Sequence, residues 1–311
     1  MDFSHYPVMF SECIEGLNIK PNGIYVDCTA GGGGHSEGIL KSLENGKLIS
    51  IDQDDNALLA CKNRFLKYGD KSILVKSNFS ELERVLNELN IDRIDGVIMD
   101  LGVSSHQLDT VERGFSYNSD ANLDMRMNPQ APLSAYDVVN TYSENELRRI
   151  ISEYGEEKFA HIIARNIVRQ REIAEIKTTT ELVEVIKKSI PVGAAKKEAQ
   201  HPAKRTFQAI RIEVNGELDG LNDVLVDMID SLNEKGRLCV LTFHSLEDRI
   251  VKNAFQELEK DCICDKRLPV CVCNHKATVK LVNKKPITAS QEEQKCNTRS
   301  TCAKLRIAEK L

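Results

Sequence analysis

An α/β fold, a parallel doubly wound sheet interrupted by an all-helical domain, is what the 311-residue sequence predicts. Three observations predict it. Short β-branched runs alternate with amphipathic segments up to Gly102, a purely helical pattern then takes over, and strand character returns at Gly236. Strands that alternate with helices at this spacing form parallel sheets, with a ligand at the carboxyl ends of the strands.

The elements follow in order. "GIYVDC" (residues 23–28) is apolar and β-branched, the glycines Gly31, Gly32, Gly33 and Gly34 end it, and "HSEGILKSL" behind them has helical spacing. "KLISID" (47–52) is a second strand with a helix over 54–66, and "SILVK" (72–76) a third. A helix over 80–89 follows, where Ser80 and Glu83 have the spacing of a capping box. "DGVIMDLG" (95–102) is the fourth strand. Leu147, Ile150, Ile151 and Tyr154 then repeat at i, i+3, i+4, i+7 behind a Ser143/Glu146 cap. Phe159, Ile162, Ile163 and Ile167 mark another helix, and Leu182, Val185, Ile186 and Ile190 one more. Helical pattern continues over 207–232, before the strand in "GRLCVLTFHS" (236–245). The expected division is a discontinuous sheet domain, 1–107 and 208–311, with a helical insertion over 108–207.

Composition narrows the function classes. With 41% hydrophobic and 29% charged residues and no Trp, the chain reads as a globular protein with a real core. It has no apolar run long enough to span a membrane and no signal-peptide pattern in "MDFSHYPVMF", so a cytoplasmic protein without a membrane partner is expected. Ten cysteines in that compartment are reduced: core thiols, metal ligands or nucleophiles. The net charge of −5 hides an asymmetry, because residues 261–311 carry +6 and the remainder −11. A basic tail on an acidic body is either a solvated face or a phosphate-contacting one.

The glycine run bears on the ligand. A phosphate loop needs Gly-Lys-Ser/Thr, and Gly34-His35-Ser36 lacks the lysine. A dinucleotide site needs G-x-G-x-x-G/A, and the two registers end instead on Ser36 and Glu37. S-adenosylmethionine needs neither. It asks for close backbone approach to its methionine part and a carboxylate for its ribose hydroxyls, and Asp52 at the end of the second strand is placed for the latter.

At this point "HYPVM" (5–9), "DCTAGGGGHS" (27–36), "SNFSEL" (77–82), "DLGVSSHQLD" (100–109), "RGFSY" (113–117), "LDMRM" (123–127), "HPAKRTFQAIRIEVNGEL" (201–218), "LTFHSLEDRIVK" (241–252) and "NTRSTCAKLRIAEK" (297–310) together resemble the RsmH (MraW) family. The resemblance runs nearly end to end. It implies a Rossmann-like S-adenosylmethionine-dependent methyltransferase sheet with an inserted all-helical domain serving RNA recognition. It also implies methylation of N4 of a cytidine in the decoding region of 16S rRNA, within the small ribosomal subunit. Cofactor contacts implied by the matching positions are Gly33, Gly34, His35, Asp52, Phe79, Asp100 and Gln107. Phe79 either packs on the purine or is a core residue. Asp100 ends a run of apolar residues, where an unpaired carboxylate is costly; it serves the site or caps a helix.

A cytosine N4 amine is a poor nucleophile, and an acceptor must draw its lone pair out of the ring. Amino-methyltransferases acting on DNA often carry Asp/Asn/Ser-Pro-Pro-aromatic after the fourth strand. This chain has Asp100-Leu-Gly-Val-Ser104-Ser105 there, which leaves Asp100, Ser104, Ser105 and His244 as catalytic candidates, His244 equally readable as a histidine satisfied near the core. No cysteine lies in 100–109, so attack on pyrimidine C6 by a thiolate is not expected. Cys262, Cys264, Cys271 and Cys273 pair as C-x-C, tighter than the usual zinc spacing, and read either as a zinc site or, preferably, as a reduced loop on the sheet edge. Lys196, Lys197, Lys204, Arg205 and Arg211, with Lys276, Lys280, Lys284, Lys285, Arg299, Lys304 and Arg306, form two basic sets suited to clamping RNA phosphates. A homodimer is compatible with the sequence. An inactive ribosome- or RNA-binding protein of the same fold is the alternative that loss of S-adenosylmethionine binding would reveal.

Overall fold

The computed structural model describes residues 6–195, 200–265 and 270–311. His5, Lys196 and Lys197 fall outside the described residues. The chain divides into two compact units, one of residues 1–102 and 220–311 and the other of Val103–Asp219.

The first unit is a mixed eight-stranded sheet. Its strands are β1 (Ile24–Asp27), β2 (Lys47–Asp52), β3 (Ser72–Lys76), β4 (Ile94–Asp100), β5 (Leu232–Thr242), β6 (Val279–Leu281), β7 (Ile287–Thr288) and β8 (Lys304–Lys310). They lie in the order β3-β2-β1-β4-β5-β8-β6, with β7 also on β8. The first five are parallel; β8 runs antiparallel to β5, β6 and β7. β1 and β4 are neighbours although β2 and β3 intervene in sequence, so the order reverses at β1, the position where such sheets open a crevice beyond their carboxyl ends. Both faces are covered, which is why the central strands read as unbroken apolar runs. One core packs Val26, Ile49, Val97, Met99 and Val240 against the helices Leu82–Glu88 and Leu221–Asp230. The other packs Tyr25, Leu48, Ile98, Cys239 and Leu241 against the helices Phe10–Leu17 and Gly34–Ser42. Cys28 and Cys239 are buried and free, their thiols pushed up by burial, as inert core residues.

Three expectations change here. The antiparallel β8 carries Lys304 and Arg306, which the sequence suggested as phosphate contacts. Instead Lys304 Nζ lies 2.9 Å and Arg306 Nε 2.7 Å from the Asp248 carboxylate, and Arg306 is only 8% exposed. The third strand is followed by a short 3-10 turn, Phe79–Glu81, capped by the Asn78 side chain on the Ser80 N–H, so the Ser80/Glu83 box does not form. The fifth strand begins at Leu232, four residues before its apolar run, through a register shift against β4 between Ile94 and Gly96.

The second unit is helical. Its core joins Leu147, Ile150, Ile151, Ile163, Ile167, Leu182 and Ile186, the periodic positions of the helices Glu144–Glu153, Ala160–Ile173 and Thr179–Ser189. The Ser143/Glu146 capping box forms as the spacing predicts. The unit is wider than the 108–207 insertion because the helix Lys204–Asn215 turns Phe207, Ile210 and Val214 into this helical core, and Val103 and Leu108 pack on it as well. Asn215 accepts from the Met127 N–H (2.7 Å) and donates to the Met125 carbonyl (2.8 Å), which gives the "LDMRM" and "RIEVNG" segments a shared structural purpose.

Candidate active site

Three successive inner strands end in aspartate: Asp27 on β1, Asp52 on β2 and Asp100 on β4. The glycine loop hangs from the first two. Asp27, 2% exposed, accepts from the Thr29 N–H (3.1 Å) and the Ser36 hydroxyl (2.7 Å), and so ties the strand to the first turn of the helix Gly34–Ser42. Burial pushes Asp27 up to about 6 against these hydrogen bonds. Asp52 accepts from the Gly31 N–H at 2.8 Å through Oδ2 and from the Asp54 N–H at 2.9 Å through Oδ1. Its carboxyl is raised by burial against these hydrogen bonds and one more from the Gln53 N–H, and it keeps acceptor capacity for one further donor.

The loop needs glycine for two reasons. Gly31 and Gly33 hold φ of 50° and 75°, where a side chain is strained. A Cβ on Gly33 would also stand 2.7 Å from the Phe65 ring, and one on Gly34 would collide with Pro7. Arg64 fastens the loop from outside, donating 2.9 Å to the Gly32 carbonyl and 2.8 Å to Glu37. Glu37 also meets Lys67 at 2.7 Å, and hydrogen bonds from Lys67 and Arg64 outweigh its burial to hold it near 2. Sequence reasoning missed Asp27, Arg64 and Glu37. The first was legible as one more strand-end acid, whereas the other two meet the loop only through the fold.

Asp100 is the chemically unusual member. Its N–H donates to Thr29 Oγ1 at 2.6 Å, which joins the end of β4 to the loop after β1. Its carboxylate meets no cation among the described residues; its near neighbour is His35 Nδ1 at 3.7 Å. His35 is buried, with Nε2 3.1 Å from the Val8 carbonyl and its ring stacked on Phe10. A carbonyl accepts only, so Nε2 carries the hydrogen and Nδ1 turns a lone pair to Asp100. Burial lowers His35 to about 4, so the imidazole is neutral at physiological pH. Burial first, then the charges of Asp27 and Glu247, push Asp100 up to about 8. An acceptor-rich corner with one 29%-exposed edge and no resident cation suits a positively charged ligand.

The remaining candidates sort differently. Ser104 caps the helix Ser105–Asp109, and its Oγ accepts from the Gln107 N–H (3.2 Å) while Gln107 Oε1 accepts from the Ser104 N–H (3.0 Å). That reciprocal box lies in the helical unit, and it removes the helix-cap reading of Asp100. Ser105, beside it, is half-buried. His244 caps the helix Ser245–Leu258, with Nδ1 accepting from the Glu247 N–H at 3.4 Å and Nε2 3.0 Å from Glu247 Oε1. The ring is thus engaged as a cap through Nδ1, while Nε2, close to Glu247, is buried with no hydrogen-bond partner among the described residues, so the satisfied-histidine reading holds for one nitrogen only. Phe79 is half-buried against the sheet core; its loop lies beside Asp52, whose carbonyl accepts from the Ser77 N–H at 3.1 Å.

Of the basic sets, Arg205 lies 3.7 Å from Glu157, and Arg211 is bidentate on Glu217 at 2.8 Å. Lys276, Lys280, Lys284 and Lys285 are exposed. No helix among the described residues is long and apolar enough to cross a membrane.

The family model of the MraW methylases matches residues 2–311. Ribosomal RNA small subunit methyltransferase H of Finegoldia magna is 52% identical over 311 residues, covering all of both chains. That of Brevibacillus brevis is 55% identical over 312 residues, covering 100% of this chain and 99% of its own. A solved rRNA methylase from Streptococcus thermophilus aligns at a TM-score of 0.42 and 12% identity, over 100% of this chain and 99% of that one. A family match from residue 2 to the end, with relatives more than half identical along the whole length, establishes that the chain belongs to the MraW methylase family.

Proposed function

We propose that the chain methylates N4 of a cytidine in the decoding region of 16S rRNA, using S-adenosylmethionine, with the RNA assembled in the small ribosomal subunit. The names of the relatives support rRNA of the small subunit as substrate. One observation carries the chemistry: Asp100, an uncompensated carboxylate at the end of β4, faces the unprotonated nitrogen of a neutral His35 beside the glycine loop.

The residues fit S-adenosylmethionine. Gly33, Gly34 and His35 would lie along its methionine part, Asp52 would take the ribose hydroxyls, Phe79 the adenine face, and Asp100 and Gln107 the remaining polar groups. When bound, the sulfonium supplies an electrophilic methyl. The chain's own residues do the rest. Asp100, ionised as a cation docks beside it, accepts from the N4 amine and localises its lone pair, and His35 holds the second acceptor next to it. After transfer the amine has one proton to lose, and the raised affinity of Asp100 for protons suits it to receive that proton. Ser104 and His244 are engaged in caps, which leaves Asp100 ahead of Ser105 as the acceptor. The helical unit, 103–219, is proposed as the RNA-recognising part, and the exposed tail lysines as phosphate contacts.

The test is mass spectrometry of 16S rRNA fragments from a strain lacking the gene and from the same strain carrying wild type or Asp100→Asn. The modified cytidine should vanish, return with wild type and stay absent with the variant. Unchanged N4 methylation in the deletion strain overturns the proposal.

A further inference from the structure

Between the helix Ser245–Leu258 and β6, four thiols of the basic tail converge. The sulfurs of Cys262, Cys264, Cys271 and Cys273 all lie within 4.8 Å of one another. The separations are 3.4 Å for Cys262 to Cys271, 3.9 Å for Cys264 to Cys271, 3.5 Å for Cys271 to Cys273 and 3.8 Å for Cys273 to Cys262. Four sulfurs placed tetrahedrally about 2.3 Å from a central ion have edges of roughly 3.8 Å, so these separations match a metal-sized tetrahedron. All four cysteines are free.

Core burial does not explain the convergence. Cys262 and Cys271 are exposed, Cys264 and Cys273 only half-buried, and the interleaved Ile263, Val270 and Val272 are 60%, 70% and 71% exposed. A loop packed on the sheet edge does not account for this exposure: Ile263, Val270 and Val272 face solvent while the sulfurs face one another. Backbone amides point at the sulfurs, Cys264 N–H to Cys262 Sγ at 3.4 Å and Val272 N–H to Cys264 Sγ at 3.3 Å. Such donors stabilise thiolates in metal sites. The tight C-x-C spacing is no obstacle, because each pair supplies two corners of the same tetrahedron.

We propose that Cys262, Cys264, Cys271 and Cys273 bind one Zn²⁺ ion. The soft, all-sulfur donor set selects zinc over magnesium or calcium, and four protein ligands leave no open position, so the ion is structural. Each thiol releases its proton to solvent on coordination. The ion cross-links the chain after the helix Ser245–Leu258 to the segment entering β6, and holds Ile263, Val270 and Val272 on the surface. His275 stands outside the sulfur cluster.

The full-length protein, purified without chelator from zinc-supplemented cells, is analysed by native mass spectrometry and elemental analysis. About one zinc per chain is expected, released by an organomercurial that blocks thiols. The double variant Cys264→Ser/Cys271→Ser should lose the zinc while still binding S-adenosylmethionine. Cobalt substitution of the wild type should give sulfur-to-cobalt charge-transfer bands with tetrahedral visible bands, a readout that requires no variant to fold. Wild-type protein free of metal with four reactive thiols, with disulfides among them, or with one iron instead of zinc overturns the proposal.

Discussion

Asp100 and His35 show how a side chain's chemistry is set by what is withheld from it. The carboxylate is half-buried without a cation among the described residues, and the imidazole beside it already directs its hydrogen to the Val8 carbonyl. Asp100 therefore rises from 3.8 to about 8, which makes the ligand-free fold bind a proton that the unfolded chain does not. The sign follows. This group costs the fold nothing below the unfolded value near 4, and its contribution is progressively lost as pH rises through about 8. Asp100→Asn should accordingly match wild type in acid and exceed it at pH 9 by about 1–3 kcal/mol, read as a higher Tm across a pH series. Isothermal calorimetry should show the same variant losing affinity for S-adenosylmethionine. An equal Tm difference at both ends of the series would contradict the assignment.

At the level of elements, the glycine loop is held as much by Arg64 as by its own backbone. The guanidinium spans the Gly32 carbonyl and Glu37, so it locks the loop to the helix Gly34–Ser42 while it comes from the helix Asp55–Phe65. Arg64→Met should weaken S-adenosylmethionine binding roughly tenfold, about 1.4 kcal/mol, with kcat at saturation little changed, because the residue positions the loop without touching reactants. Titration calorimetry against steady-state kinetics separates the two. The elements were unevenly legible beforehand. Strand runs such as "KLISID" and the helix periods at Leu147 and Leu182 could be read because burial enforces a repeat. β8 could not, since "KLRIAEK" alternates charges that are paired within the fold, and Asn78 displaced Ser80 as a cap through a local turn that competes with helix spacing.

Across the whole molecule, the basic tail divides into two populations with different work. Lys304 and Arg306 belong to the sheet, and Arg306→Met leaves Asp248 with Lys304 alone; unfolding measurements should show a loss of about 2–4 kcal/mol. Lys284 and Lys285 are exposed, so Lys284→Ala/Lys285→Ala should leave Tm unchanged, weaken RNA binding, and reduce the slope of log affinity against log salt by roughly 2. Swapped outcomes for the two variants would reverse the division. The net charge of the tail, +6, says nothing of this, because a sum treats an internally neutralised cation and a free one alike.

What the sequence determined by itself is what depends on neighbours along the chain: the alternating strands and helices, the helical insertion, the glycine loop without a lysine, and the strand-end acids Asp52 and Asp100. The family followed from the order of its motifs. Tertiary structure alone decided what depends on distant partners. It put the Lys204–Asn215 helix in the helical unit, because Phe207, Ile210 and Val214 find their apolar contacts there. It set Ser104 and His244 Nδ1 as caps, and paired two tail cations with Asp248, Arg306 buried and Lys304 part-exposed. It brought four thiols within 4.8 Å of one another. The physical reason is common to all: spacing in sequence fixes backbone periodicity, whereas charge pairing, desolvation and metal-ligand geometry act through space.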